Sequence, residues 1–194
     1  MKLLLTSNFP MKKNEAVAER IHSLIDGNRK LLFVGYNDTT AKYIRLLHDY
    51  GFTDTGYLNL NKGFTAEGLK DYDGILLHGG NPFSITTLLR ETAFIEYLKN
   101  TTKLIITVSG STCALSKEFS LLASFYPAWN GGEAAGIGIF GYEPLPHLHR
   151  YKKHMKEIHE YSRNRIVYGI PDGSAILCVS GDIELLGAAG MLGR

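Results

Sequence analysis

The run Leu104-Ile105-Ile106-Thr107-Val108, stopping abruptly in Ser109-Gly110-Ser111-Thr112-Cys113-Ala114, constrains this chain more than any other stretch. The apolar, β-branched half reads as a buried strand. The half that follows is a string of small residues carrying hydroxyls. In α/β enzymes a serine at a strand tip, on a sharp turn into a helix, is lifted above the sheet edge and exposed to substrate. Small neighbours are needed there, because a side chain would block the tight turn and the approach of a substrate carbonyl.

The rest of the pattern supports such a sheet. Leu3–Thr6, Leu31–Val34, Gly56–Leu60, Asp73–Leu77 and Lys103–Val108 read as strands, the last of them central. Between them lie helical patterns at Glu15–Ile25, Thr40–Asp49 and Phe83–Lys99, the last entered through Pro82 in its first turn. This alternation argues for a parallel, doubly wound sheet, with ligands beyond the carboxyl ends of its strands. The turns at 79–81 and 109–112 both fall at such ends. The second half is less regular. A glycine-rich strand with flanking loops is expected in Gly131–Gly141 and a polar helix over Arg150–Tyr161. Short strands follow at Ile166–Val167, Ala175–Val179 and Ile183–Leu186, with turns at Pro171-Asp172-Gly173 and Ser180-Gly181-Asp182.

Composition narrows the function. The 194 residues suffice for one α/β domain over 1–194 with a sizeable core. A net charge of +2 gives no case for nucleic acid. Only Cys113 and Cys178 are present, too few for a disulfide framework and not spaced for a metal. The opening Leu3-Leu4-Leu5 is too short for a signal sequence, and no run approaches the ~18 residues of a membrane helix. The expectation is a cytoplasmic protein needing neither metal nor organic cofactor, with a homodimer left open.

Three groups can carry chemistry. Ser109 offers a hydroxyl, which needs an adjacent base and an oxyanion hole to act as a nucleophile. Pro146-His147 offers the base. Gly79-Gly80-Asn81 offers backbone N–H groups at a neighbouring strand end, and neither a G-x-G-x-x-G nor a P-loop pattern competes for that role.

Taken in order, these residues resemble peptidase family S51, the dipeptidase E and cyanophycinase group. Leu3-Leu4-Leu5-Thr6-Ser7-Asn8 is similar to its opening strand. Leu77-His78-Gly79-Gly80-Asn81-Pro82-Phe83 is similar to its strand ending in Gly-Gly-Asn-Thr-Phe. Thr107–Ser111 falls where the family has Gly-x-Ser-Ala-Gly. Pro146-His147-Leu148 resembles its Pro-His-Phe, Gly169–Ser174 its Gly-Leu-Pro-Glu-Gly, and Gly187 its closing glycine. The resemblance implies a three-layer, mostly parallel sheet of the class I glutamine amidotransferase-like, flavodoxin-like kind. It implies a serine-type peptidase acting on small acidic, aspartyl peptides. Ser109 would be the nucleophile and His147 the base, with Gly79, Gly80, Asn81, Gly110 and Ser111 around the oxyanion and substrate. Arg150, Lys152 and Lys153 are candidates to anchor a substrate carboxylate.

The departures leave alternatives open. Thr107 and Gly110-Ser111 replace the family's glycine and Ala-Gly, so a shift of register would make Ser111 the nucleophile. His78 replaces a glycine and brings a titratable ring to the turn. The family's acid falls between serine and histidine, where Glu118 and Glu133 are the acidic residues considered; Glu133, flanked by small residues, is the better candidate. A thiol nucleophile at Cys113, as in related amidotransferases, is a third reading. A catalytically degenerate domain that binds a small ligand or partner in the same crevice is the non-enzymatic one.

Overall fold

The computed structural model describes residues 1–9, 15–25, 30–36, 47–48, 50–127, 129 and 134–193. In chain order the elements are β1 (Lys2–Thr6), α1 (Glu15–Leu24), β2 (Lys30–Gly35), β3 (Asp54–Asn59), β4 (Gly74–Leu77), α2 (Pro82–Glu91), α3 (Phe94–Asn100), β5 (Leu104–Val108), α4 (Gly110–Leu115) and α5 (Ser120–Ser124). They continue with β6 (Glu143–Pro146), 3-10 turns over Leu148–His154, α6 (Met155–Ser162), β7 (Val167–Ile170), β8 (Ala175–Val179), β9 (Asp182–Leu186) and β10 (Gly190–Leu192). The helix expected over Thr40–Asp49 lies outside the described residues, except Leu47 and His48 near its end, which are helical.

Seven strands form one sheet in the order β3-β2-β4-β5-β1-β8-β9. The first five are parallel to their neighbours; β8 runs against β1, and β9 against β8. β5 is the middle strand, as its unbroken apolar run predicts. Period-two alternation then divides the core. Leu3, Leu5, Leu32, Val34, Ile75, Leu77 and Ile105 face one side, where Ile85 and Leu89 of α2, Phe94 and Leu98 of α3 and Leu115 of α4 cover them. Leu4, Leu31, Phe33, Leu76, Leu104 and Ile106 face the other side, covered by Val17, Ala18 and Ile21 of α1. Both faces of the parallel strands are apolar because both are covered. The architecture is therefore α/β in three layers. Among the described residues no helix is long and apolar enough to cross a membrane.

The helix expected over Phe83–Lys99 is two helices. Thr92, in extended conformation, ends α2, and its hydroxyl and amide both reach the Leu89 carbonyl, a local bond that competes with the helix. The break has a packing reason. Ile85 and Leu89 are four apart, as are Phe94 and Leu98, but a continuous helix would swing the second pair well off the face of the first. Breaking the chain at Thr92-Ala93 lets both pairs reach the sheet.

A second sheet, β10-β7-β6, packs over a third apolar cluster that includes Cys113, Phe119, Leu122, Leu145, Ile158 and Val167. The sequence pattern misses β6, since Glu143-Pro144-Leu145-Pro146 carries two prolines. Proline is tolerated there because β6 is an edge strand. The strand expected in Gly131–Gly141 is instead, over residues 134–141, a strap with isolated bridges from Ala135 to Glu118 and Phe140 to Ser116. A Cβ on Gly136 would fall 2.1 Å from the Ser116 carbonyl oxygen, so only glycine lets the strap lie this close. The expected helix Arg150–Tyr161 begins as 3-10 turns, kinked at Tyr151, and is α-helical only from Met155.

Candidate active site

β4, β5 and β1 are adjacent and parallel, so their carboxyl ends share one rim of the sheet. β4 ends in Gly79-Gly80-Asn81, β5 in Ser109-Gly110 and β1 in Ser7-Asn8. Beside this rim lie the carboxyl ends of a second parallel pair, β6 and β7, with Pro146 opposite Ile170. His147 directly follows β6, and Asp172 stands two residues beyond β7. Five strand ends thus converge, and three of them supply the titratable or nucleophilic groups.

Ser109 keeps its backbone in the ladder, its N–H donating to the Thr6 carbonyl at 2.9 Å. It then turns sharply, with φ 52° and ψ −111°, into α4. His147 has φ 57°. Non-glycine residues held in such conformations cost of order 1–3 kcal/mol each, and they gather at sites where the surroundings over-determine them. Ser109 and His147 are two of the three such residues among those described, and they meet: His147 Nε2 is 3.0 Å from Ser109 Oγ. On the far side of the ring, His147 Nδ1 is 2.6 Å from Asp172 Oδ1. Because an ionised carboxylate only accepts, Nδ1 carries the proton in the neutral ring and Nε2 is left to accept from the serine. The second carboxylate oxygen of Asp172 is 3.4 Å from Nε2 of His149.

Burial pulls the pKa of His147 below the ordinary histidine value. The hydrogen bond and charge of Asp172 pull it back up in part, and Arg150 and His149 push it down again. The ring therefore stays neutral, and able to accept a proton, to lower pH than a free histidine.

Backbone pins hold the arrangement. The Ser7 hydroxyl accepts the His147 N–H at 2.8 Å and donates to the Ile170 carbonyl, joining the end of β1 to the carboxyl ends of β6 and β7 in the neighbouring sheet. Asn8 Oδ1 accepts from Gly173 N–H at 3.0 Å, beside Asp172. The glycines are sterically required. A Cβ on Gly110 would sit 1.9 Å from the Gly80 carbonyl oxygen, and one on Gly79 would sit 2.9 Å from the Val108 carbonyl oxygen. The Gly79-Gly80 turn is thus laid directly on the elbow. Asn81 caps α2, its side-chain oxygen accepting from Phe83 and Ser84 N–H at 2.9 and 3.2 Å; such caps contribute about 1 kcal/mol.

Two alternative nucleophiles are ruled out by burial. Ser111 is fully buried. Its hydroxyl accepts from Val108 N–H and lies 2.8 Å from the Leu77 carbonyl, so it fastens β4 to β5 and has no route to substrate. Cys113 is also fully buried, in the third core cluster, and burial pushes its thiol well above the ordinary range. A neutral, enclosed thiol is a packing group.

Glu133 lies outside the described residues. Glu118 faces Arg165, at 3.3 Å. The carboxylate on the imidazole is Asp172, from the turn after β7 and not from the segment between serine and histidine. The available signal was the Pro171-Asp172-Gly173 stretch, which is legible as a turn. Its acid became legible as a partner only once β6 and β7 were seen to be parallel neighbours.

Next to the elbow lies a cavity of about 400 Å³ lined by Tyr36, Asn61, His78, Ser84, Ile85 and Leu88 together with Gly79-Gly80-Asn81. His78 stands at its edge with its ring 5.5 Å from that of Phe33. Arg150, Lys152 and Lys153 are exposed on the turns after His147. No group of three or more metal-ligating side chains is gathered among the described residues.

Comparison with curated proteins finds no match. Among solved structures, a protein from Listeria monocytogenes EGD-e described as a peptidase E superposes with a TM-score of 0.68 at 18% identity, covering 98% of each chain. At that identity the likeness establishes the fold. The sequence description of peptidase family S51 matches residues 3–186, from the first strand to the end of β9. The chain belongs to peptidase family S51.

Proposed function

We propose that this chain is a serine-type peptidase acting on short peptides, with Ser109, His147 and Asp172 as its triad. The observation that carries the reading is the unbroken chain of hydrogen bonds from Ser109 Oγ through His147 to Asp172. Ser109 Oγ attacks the scissile carbonyl while its proton passes to His147 Nε2. The tetrahedral oxyanion is received by amides of the Gly79–Gly80 turn and Gly110. His147 then gives its proton to the departing amine, leaving an acyl-serine. A water that loses a proton to the same nitrogen hydrolyses the ester and restores Ser109. Asp172 holds the ring in the tautomer that can accept from serine and stabilises the imidazolium that forms.

The acidic substrate implied by the family resemblance calls for a cation. Arg150, whose charge is felt at His147, is the group we assign to a substrate carboxylate, whether a side chain or the free end of a dipeptide.

The test is covalent. A fluorophosphonate probe should label the wild-type chain at Ser109, and Ser109→Ala should abolish both labelling and dipeptide hydrolysis. Labelling that survives in Ser109→Ala, or folded wild-type protein that never labels, would refute the assignment, the latter in favour of a binding domain.

A further inference from the structure

The regular pairing of β1 ends at Thr6, opposite Val108 of β5. The two residues that follow bind through their side chains instead. Ser7 is fully buried, and its hydroxyl has one proton to give and lone pairs to receive with. It gives the proton to the Ile170 carbonyl and receives the N–H of His147 at 2.8 Å. Both groups stand at the end of the β6–β7 ladder, whose last pair is Pro146 opposite Ile170. One oxygen atom thus ties the strand that leads to Asp172 to the residue that carries the imidazole.

The neighbours of Ser7 extend the pattern. The Thr6 carbonyl accepts the N–H of Ser109 at 2.9 Å and the hydroxyl of Thr112 at 2.8 Å. Asn8 Oδ1 accepts the N–H of Gly173 at 3.0 Å. Three consecutive residues therefore hold, in order, Ser109, His147 and the residue after Asp172.

The bond to His147 bears most directly on the chemistry. That residue keeps φ 57°, a conformation that a non-glycine residue holds only where its surroundings fix it. Its ring reaches Ser109 on one side at 3.0 Å and Asp172 on the other at 2.6 Å. A rotation of the backbone at position 147 shifts both contacts at once, and a misplacement of about 1 Å at a reacting group costs up to about 100-fold in rate.

We propose that Ser7 is a positioning residue for acyl transfer, its hydroxyl fixing the imidazole between Ser109 and Asp172, with Asn8 steadying the Asp172 turn. The proposal rests on the serine-peptidase reading.

The experiment compares fluorophosphonate labelling and dipeptide hydrolysis in wild type, Ser7→Ala, Asp172→Asn and the double variant. Ser7→Ala should label to the wild-type end point, which counts folded sites, but about ten- to a hundredfold more slowly. Its kcat should fall with KM unchanged, since a fully buried serine does not touch substrate. In Asp172→Asn the ring holds the wrong tautomer whatever its alignment, so adding Ser7→Ala should slow labelling by less than about threefold. A serine that only stabilised the fold would lower the end point and affect both backgrounds alike. Labelling of Ser7→Ala at the wild-type rate, or equal losses in both backgrounds, would overturn the positioning role and leave the peptidase reading standing. A wild-type chain that never labels refutes that reading, and the positioning role with it. Should Ser7→Ala not fold, Asn8→Ala decides, because Asn8 is only half-buried. It should slow labelling about threefold or more in the wild-type background and leave the rate of Asp172→Asn as it was; any other pattern overturns the proposal.

Discussion

At the scale of single residues, Asp172 is shared. One oxygen meets His147 and the other faces His149 at 3.4 Å. The two partners act on the base with opposite sign. Asp172 raises the pKa of His147, and His149 lowers it. In the proposed triad the neutral base is the active form, so kcat/KM should rise with pH along an acid limb lying below the ordinary histidine value of 6.5. Burial and Arg150 also lower the pKa, and His149→Gln removes one contribution of that sign, so the limb should move to higher pH with the plateau little changed. Asp172→Asn removes the group that raises it, so the limb should move to lower pH while kcat falls by about 10³–10⁴-fold, as expected when the wrong tautomer is held. Rate profiles between pH 4 and 8 check both. Shifts in the same direction in the two variants would show that His149 acts only by holding the carboxylate in place.

At the scale of elements, the elbow depends on the approach of two turns. The 1.9 Å between a Cβ at position 110 and the Gly80 carbonyl oxygen is backbone against backbone, so no side chain can swing away. Gly110→Ala should therefore separate β4's turn from β5's, costing roughly 2 kcal/mol or more. That corresponds to a loss of about 5 °C or more in melting temperature for a chain of this size. Differential scanning calorimetry measures the loss, and fluorophosphonate labelling should fall with it. A variant that melts like wild type and labels at the same rate would mean that the turn gives way without consequence. The same closeness explains what the sequence makes legible. Continuous apolar runs mark β1, β2, β4 and β5, and the strings of small residues after β4 and β5 mark the rim. Ser109 and His147 stand out because one follows a buried strand and the other follows a proline. Asp172 and Ser7 do not stand out. Each gains its role from a partner far away in the chain, 25 residues from Asp172 to His147 and 140 from Ser7 to His147. No local period reports such contacts. β6 stayed hidden for a different reason: two prolines contradict strand propensity, and only its edge position tolerates them.

At the scale of the whole molecule, the proposed base is mounted on a scaffold separate from that of the proposed nucleophile, and Glu143 is that scaffold's joint. It opens β6, the strand that delivers His147, and is almost fully buried. One oxygen accepts the N–H of Leu121 in α5 at 2.6 Å, and the other accepts the hydroxyl of Tyr161 in α6 at 2.9 Å. Three elements are tied at one carboxyl group. Burial raises its pKa above the ordinary value of 4.5, and the two hydrogen bonds and the charge of Arg165 offset this only in part. A raised pKa means that the folded state binds the proton more tightly than the unfolded chain does. Glu143 therefore favours folding most below the unfolded pKa, and that contribution is lost as pH climbs from about 4.5 through the folded pKa. Glu143→Gln resembles the protonated form and can still accept from Leu121, although its amide must meet the Tyr161 oxygen as donor. The stability of wild type relative to Glu143→Gln should thus decline from pH 4.5 upward and level off once the folded carboxyl has ionised. Urea unfolding of both proteins across that range measures it. A relative stability that instead grows with pH would mean that the hydrogen bonds outweigh burial, making the ionised carboxylate itself the clamp that holds β6 against α5 and α6.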